Sequence, residues 1–237
     1  MKVFNIAGIE IFNSIYEYLD SNMYVLFPCD DAAIIIDPHI DEDCLSLLKK
    51  KNIKRINIIL THEHTDHTSG IFWYQERFDC QIICQKECAA FISDKRRMRP
   101  LLIMFTLEEH DRMDGTNRLE QFKKDYVIRT YQANIEYDKS YDYTIGGYYF
   151  HFEHIPGHSK GSSLIILNNK IAFTGDSLMK ENPVITRFPG SNHQLYVEST
   201  LPKLSSLSNE IEVLPGHGEP FFIKEMMIDG ELNIDYM

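Results

Sequence analysis

The stretch Thr61–Gly70, "THEHTDHTSG", directly follows the mainly apolar run "RINIIL" and holds three histidines and two acidic residues. A short apolar run of this kind predicts a strand that is buried on both faces. His and Asp are residue types that bind Zn²⁺ through nitrogen and oxygen, and they also bind iron and manganese. The spacing His62-x-His64-x-Asp66-His67 therefore predicts a metal-binding loop at the end of a strand, with a charged surface loop as the alternative.

Three more residues that can bind a metal follow other predicted strands. They are His158 in "HIPGHSKGSS", Asp176 in "FTGDSL" and His217 in "VLPGHG", and a glycine precedes each of them. Glycine permits a tight backbone bend, so we expect these side chains to turn inward.

The two halves of the chain repeat one plan. In the first half, "MYVLFPCDDAAIIIDPH" predicts two strands that end at Asp37, "DEDCLSLLKKKN" predicts a helix with Cys44, Leu47 and Leu48 on one face, and "RINIIL" leads to His62. In the second half, "GSSLIIL" and "KIAFTGDS" predict a hairpin that leads to Asp176. A helical stretch around 194–207, interrupted by a proline, and the strand "IEVLPGHG" follow. The repetition predicts two packed α/β halves whose strand ends meet at one site.

The middle of the chain, about 87–143, has a helical and irregular pattern. "FISDKRRMRPLLIMF" and "TNRLEQFKKDY" are its predicted helices. An insertion of this length beside a site is either a substrate wall or scaffold.

These segments resemble the metallo-β-lactamase superfamily. Its five signature elements match Asp37, the His62–His67 motif, His158, Asp176 and His217 in order. The resemblance implies an α/β fold, a four-layer αββα sandwich that forms a single domain over 1–237 with the helical insertion at about 87–143.

The resemblance also implies a site for two divalent metal ions. His62, His64 and His158 would bind the first ion, Asp66, His67 and His217 the second, and Asp176 would bridge them. Asp37 would orient the loop from outside. Glu63 and Thr65 should point away from the metals. Zinc is the favoured metal, with iron and manganese as alternatives.

Two metals about 4 Å apart can activate a bridging water as hydroxide near neutral pH, which predicts a hydrolase. Asp66 is the candidate for proton transfer, although a purely structural ligand would also fit. The stretch after Asp176 is similar to the glyoxalase II-like branch, which implies a small-molecule thioester or lactone as substrate. The alternatives are a persulfide dioxygenase-like enzyme with one iron, which Asp66, His67 and His217 together disfavour, and a phosphodiesterase or nuclease.

Two groups of basic residues are candidates to meet a substrate carboxylate. Lys180, Arg187 and His193 follow Asp176, with an exposed polar loop as the alternative. Arg96, Arg97 and Arg99 lie in the insertion, with a solvated helix end as the alternative.

The composition limits the partners. A formal net charge of -11 disfavours binding to nucleic acid or to an anionic membrane. No apolar stretch has the length of a membrane span, so a cytoplasmic location is expected. Among five cysteines, Cys80, Cys84 and Cys88 are predicted to be buried free thiols on a strand that runs into a helix. The sequence leaves the oligomeric state open.

Overall fold

Two β-sheets form the centre of the protein in a computed structural model that describes residues 1–236. The first sheet has seven strands in sequential order: β1 (Lys2–Ile6), β2 (Ile9–Ile15), β3 (Asn22–Cys29), β4 (Ala32–Ile36), β5 (Arg55–Ile59), β6 (Asp79–Gln85) and β7 (Ile135–Tyr137). The second has the spatial order β13-β12-β11-β10-β9-β8, with β8 (Ser140–Ile145), β9 (Tyr148–His154), β10 (Ser163–Leu167), β11 (Ile171–Gly175), β12 (Glu212–Pro215) and β13 (Phe221–Phe222). A small hairpin of β14 (Met227–Ile228) and β15 (Glu231–Leu232) lies near the end.

Helices connect and cover these sheets. They are α1 (Glu42–Lys50), α2 (Thr65–Thr68), α3 (Ile71–Gln75), α4 (Lys86–Ile92), α5 (Leu101–Asp114), α6 (Arg118–Asp125), α7 (His193–Leu195), a π-helical turn (Tyr196–Thr200), α8 (Leu201–Ser205) and a 3₁₀ turn (Ile223–Met226). No helix within residues 1–236 is long and apolar enough to cross a membrane.

Three apolar clusters separate four layers, which confirms the predicted αββα sandwich. On β4, Ile34 and Ile36 face the second sheet, where they share a cluster with Phe150 and Phe173. Ile35 faces the other way, toward the helices α1 and α3. A third cluster joins the outer face of the second sheet to the helices that follow β11. Strand β4 is buried on both faces because a layer covers each of them.

The predicted repetition of the two halves is present as two parallel strand pairs. Strand β4 pairs with β5, and β11 pairs with β12. Because the carboxyl ends of parallel strands lie at one edge of a sheet, the residues that follow them meet there. This edge carries the metal-ligand candidates.

Local predictions in the second half are largely confirmed. Asn168 and Asn169 have φ values of 49° and 54°, as the tight turn between β10 and β11 requires. Pro202 lies in the first turn of α8, directly after the π-helical turn, and the backbone stays helical through this junction, so the proline changes the helix type without separating two helices. On α1, however, Leu45 is buried with Cys44 and Leu48, whereas Leu47 is only partly buried. Leu47 shares a helix face with Cys44 and Leu48, as predicted, but it lies at the edge of the buried surface, where Leu45 contributes more.

The predicted helical insertion differs from the structure in two respects. Residues 93–100 separate α4 from α5, so "FISDKRRMRPLLIMF" is not one helix, because Pro100 disfavours helical backbone in the residue before it. The last part of the segment is also not helical, since β7 and β8 add one strand to each sheet. Tyr137 is buried between the sheets, and Ile135 packs against the same cluster. Their alternating apolar pattern is that of a strand.

Candidate metal centre

All seven predicted ligands come together at the edge where the parallel strands end. Two groups have ligand atoms within 4.8 Å of one another: His62, His64, His158 and Asp176 in one, and Asp66, His67 and His217 in the other. Apart from Asp176, which the resemblance made a bridging residue, these are the two residue sets that the family resemblance implied.

The side chains of the motif point in two directions because the backbone changes conformation at His64. His64 has extended backbone, with φ -65° and ψ 150°, and the single helical turn α2 begins at the next residue. Asp66 and His67 lie on that turn, whereas His62 lies on the extended segment before it. The sequence predicted a loop here, whereas the structure has a single helical turn.

Asp176 lies between the two groups of ligands. Its Oδ2 atom is 3.8 Å from His62 Nε2, 3.5 Å from His158 Nε2 and 3.5 Å from His217 Nε2. Its Oδ1 atom is 3.4 Å from His67 Nε2. The two carboxylate oxygens therefore contact histidines of both groups.

The spacing of these atoms fits metal ligands better than hydrogen bonds. Separations of 3.4–3.8 Å exceed ordinary hydrogen-bond distances. Two ligands bound to one ion at about 2.1 Å in tetrahedral geometry would be about 3.4 Å apart. His62 Nε2, His67 Nε2 and Asp176 Oδ1 are also buried without a hydrogen-bond partner among the described residues. Such orphaned donor atoms fit divalent metal ions.

Hydrogen bonds on the outer ring nitrogens orient two of the histidines. His158 Nδ1 lies 2.9 Å from the carbonyl oxygen of Ile185, to which it can donate. His67 Nδ1 lies 3.0 Å from Asp37 Oδ2. In both rings Nε2 then faces the ligand cluster, as is usual for metal-binding histidines.

Asp37 holds the motif from outside, as predicted. Its Oδ1 accepts a hydrogen bond from the backbone N–H of Thr61 at 2.7 Å, and its Oδ2 accepts one from the Thr61 hydroxyl at 2.5 Å. Asp37, His62 and His67 also have ligand atoms within 4.8 Å of one another. Since both Asp37 oxygens are already occupied, we interpret Asp37 as an orienting group and not as a ligand.

Charge separates the two groups of histidines. Burial lowers the pKa of His62 and of His64, and it lowers that of His158 to about 4, although Asp176 opposes the last shift. Neutral imidazole is the form that binds metals, so these three histidines can bind a metal near neutral pH without first losing a proton.

In the second group, burial favours neutral His67 and His217, but the carboxylates of Asp66 and Asp176 outweigh it. The pKa of His67 is raised well above its usual value, and that of His217 is raised to about 10. Burial likewise raises the pKa of both carboxyls, yet the two histidines outweigh it and hold both values well below normal. A divalent metal ion bound between these histidines and carboxylates would therefore displace the protons from His67 and His217.

Glycines allow the ligand loops to approach one another, as their positions predicted. Gly157 and Gly175 have φ values of 148° and 50°. Gly216 has an ordinary φ, but a Cβ there would overlap Asp176 Oδ1 and lie 3.0 Å from His67 Cε1. Its missing side chain thus leaves space for the ligand carboxylate.

Two residues outside the predicted set position ligand loops. Glu63 is buried and points away from the cluster, as expected, but it accepts hydrogen bonds from Ser159 Oγ at 2.9 Å and from the N–H of Gly161 at 3.1 Å. Asn22, on β3, donates from Nδ2 to the carbonyls of Pro215 at 3.1 Å and Gly218 at 2.8 Å. The Ser159-x-x-Ser162 spacing was a weak sequence signal for the role of Glu63. The role of Asn22 depends on packing between the two sheets and has no such signal.

A cavity of about 1060 Å³ opens over the ligand cluster. Its floor includes His64, Asp66, His158, Asp176 and His217. Helix α5 forms one wall, so the insertion contributes directly to the site. The same helix buries Ile103 and Leu107 against the N-terminal part of the chain, so it lines the cavity and also packs into the scaffold.

Of the six basic candidates, only Arg97 and Arg99 line this cavity. Arg96, Lys180, Arg187 and His193 are not among its lining residues. Lys180 instead forms an ion pair with Glu225 at 2.6 Å. Lys180 and His193 are exposed and lie outside the cavity lining, which fits the alternative of an exposed polar loop.

The cysteine prediction holds for two of its three residues. All five cysteines are free, and Cys84 and Cys88 are buried where β6 meets α4. Cys80, near the start of β6, is only partly buried.

The fold and the ligand cluster define a metal-binding enzyme of the αββα class, and comparison with known proteins specifies the family. The metallo-beta-lactamase superfamily model matches residues 17–217, and the chain belongs to this superfamily. It is 28% identical over 213 residues to a probable metallo-hydrolase of Streptococcus pyogenes, covering 88% of this chain and 84% of that protein. It is 26% identical over 199 residues to the hydroxyacylglutathione hydrolase GloC of Haemophilus influenzae, covering 83% and 85% of the two chains. The crystal structure of the BLEG-1 B3 metallo-beta-lactamase matches with a TM-score of 0.71 and 25% identity, covering 92% of this chain and 96% of that one.

Proposed function

We propose that this protein is a hydrolase that uses two divalent metal ions to cleave small-molecule thioesters, with zinc as the favoured metal. The observation that supports it best is the position of Asp176, whose two oxygens contact histidines of both ligand groups beneath an open cavity.

The residues divide into two ligand sets. His62, His64 and His158 would hold one ion, Asp66, His67 and His217 the other, and Asp176 would be shared. Metal ions bound there would lower the pKa of water to about 7 and polarise the carbonyl of the substrate.

The chain itself orients these groups and manages the proton. Asp37 fixes the His67 ring, and Ile185 fixes that of His158. Asp66 directs Oδ2 toward His67 and His217, at 3.3 Å and 3.4 Å, and its side chain also lines the cavity. We propose that the other carboxylate oxygen of Asp66 transfers a proton to the sulfur of the leaving group.

The substrate class is supported by the relatives. Similarity to a hydroxyacylglutathione hydrolase favours a thioester, and a lactone offers the same carbonyl chemistry. The acidic composition disfavours a nucleic-acid substrate. Free cysteines fit a reducing compartment, and we propose the cytoplasm as the location.

A substrate panel tests this function. Purified protein is assayed with thioesters, lactones and phosphodiesters, before and after removal of metal by a chelator, while oxygen uptake is recorded with a persulfide. We expect thioester hydrolysis that the chelator abolishes and Zn²⁺ restores. Oxygen uptake with one iron per chain, or activity confined to phosphodiesters, would overturn the proposal.

A further inference from the structure

One wall of the cavity is an exposed apolar stripe on helix α5. Leu101, Leu102 and Phe105 line the cavity at helical spacing, with Thr106 beside them. The side chains of Leu101 and Phe105 are 67% and 59% exposed. A helix normally turns its large apolar side chains toward the core, as α5 does with Ile103 and Leu107. The stripe is thus a second apolar face that the described residues leave uncovered.

Further apolar lining comes from the loop after the shared carboxylate and includes Met179, Ile185 and Phe188. Phe91, at the end of α4, adds to the apolar surface of the same cavity. The ligand cluster lies at the floor of this cavity. A substrate whose carbonyl reaches the metals would therefore be near apolar side chains from both α5 and the loop after Asp176.

The cavity volume of about 1060 Å³ lies just above the usual range for pockets that bind drug-sized ligands. A two- or three-carbon hydroxyacyl group would leave most of the apolar wall in water. An extended hydrocarbon chain would cover it and gain the stabilisation that comes from removing apolar surface from water.

Positive charge accompanies this apolar surface. Arg97, Arg99 and Lys160 line the cavity, and outside the motif and the ligand set Asp20 is the one acidic residue in that lining. Arg97 lies 3.7 Å from Asp94, whereas the side chains of Arg99 and Lys160 form no ion pair within residues 1–236. In a protein of net charge -11, two uncompensated cations beside the site favour a substrate that carries a negative group.

Building on the proposed function, we infer that the substrate is a thioester with an extended apolar acyl chain, carried on a thiol that bears a negative charge. Hydrolysis breaks the acyl–sulfur bond: the oxygen of water joins the acyl carbon, and a proton joins the sulfur to give the free thiol. The acyl chain lies along the stripe of α5, and the anionic thiol part meets Arg99 and Lys160.

The chain-length test uses acetyl, hexanoyl and decanoyl thioesters of N-acetylcysteamine, a neutral thiol. We expect kcat/KM to rise with each methylene that becomes buried, by roughly threefold to fourfold at most. Phe105→Ala should lower kcat/KM for the decanoyl ester about tenfold and leave the acetyl ester nearly unchanged. Met113→Ala is the matched control, because Met113 is 76% exposed on the same helix but does not line the cavity.

The charge test compares decanoyl esters of glutathione, which is anionic, and of N-acetylcysteamine. Arg99→Ala should raise KM about tenfold for the glutathione ester and much less for the neutral one. Arg96→Ala is the control, since this neighbouring arginine is not in the cavity lining. Equal effects of Arg99→Ala on both esters would contradict the role of charge.

Binding separates the inference from the proposed function. The S-decyl and S-ethyl thioethers of glutathione cannot be hydrolysed. Calorimetry with these two compounds measures how much the apolar wall contributes to binding affinity without catalysis. Tighter binding of the decyl compound, weakened by Phe105→Ala, supports the site for an apolar chain; if no thioester is then cleaved, the proposed function fails while this binding site stands. Thioester hydrolysis with equal kcat/KM for all chain lengths would overturn the inference while the proposed function stands.

Discussion

The buried carboxylate of Glu63 accepts a hydrogen bond from the hydroxyl of Ser159 at 2.9 Å. Glu63 lies between two predicted ligands in the motif, and Ser159 follows a third, His158, so this bond joins two ligand loops from different sheets. The N–H of Gly161 adds a second bond to the same carboxylate.

Glu63→Ala should therefore loosen the His158 loop. We expect a loss of about 1–3 kcal/mol in the free energy of unfolding, because buried donors lose their acceptor. On the proposed metal centre we expect metal affinity to fall about tenfold to a hundredfold. Denaturant unfolding and competition with a chromogenic chelator measure the two effects. Ser159→Ala should act in the same direction but less, and wild-type metal affinity in Glu63→Ala would refute the positioning role.

Gly216→Ala should disturb the site more than the fold. The new Cβ would overlap Asp176 Oδ1, so we expect hydrolysis to fall at least about tenfold. Gly8→Ala is the comparison: Gly8 has a φ of 80°, and a Cβ at this position would meet no other atom within 4 Å. This variant should cost about 1 kcal/mol of stability and leave hydrolysis unchanged. Thermal unfolding and steady-state kinetics on both variants distinguish steric interference at the site from backbone strain.

Asn22→Ala should weaken the contact between the two sheets near His217. The variant loses two side-chain hydrogen bonds to the loop 215–218, although the N–H of residue 22 still donates to the carbonyl of Gly216 at 2.7 Å. We expect the free energy of unfolding to fall by about 1–3 kcal/mol. Asn5→Ala, on the exposed part of β1, should change it by less than about 0.5 kcal/mol. Equal unfolding midpoints for the two variants would argue against the proposed role of Asn22.

The five free cysteines should differ in reactivity. Cys29 is exposed and should react quickly with a thiol reagent under native conditions. Burial raises the pKa of Cys44 and of Cys80 to about 12, so their thiolates are scarce at neutral pH. We expect one fast thiol in the native protein and five after denaturation, measured by absorbance. Rapid reaction of Cys84 or Cys88, identified by mass spectrometry, would contradict the burial of these two thiols.

The sequence predicted the site well because ligand residues obey local rules. Asp37, His62, Asp176 and His217 each follow a buried strand, and parallel strands bring such ends to one edge. The turn at 168–169 was predictable for a similar reason, since Asn tolerates positive φ.

Features that depend on distant contacts were not predictable. Leu102 and Phe105 have the pattern of ordinary core positions on a helix, and only the packing of α5 shows that they face the cavity. Lys180 is available to a substrate as far as its sequence neighbours show, but its partner Glu225 lies far along the chain. The role of Asn22 likewise requires the register between the two sheets.

Metal stoichiometry tests the central claim most directly. Protein loaded with Zn²⁺ and dialysed is analysed by elemental mass spectrometry for the wild type, Asp176→Ala, and Asp142→Ala as a surface control that pairs with His151. We predict about two zinc ions per chain in the wild type and in Asp142→Ala, and about one or none in Asp176→Ala with an unchanged circular dichroism spectrum. One ion in the wild type, or two ions retained by Asp176→Ala, would contradict a dinuclear centre that shares Asp176.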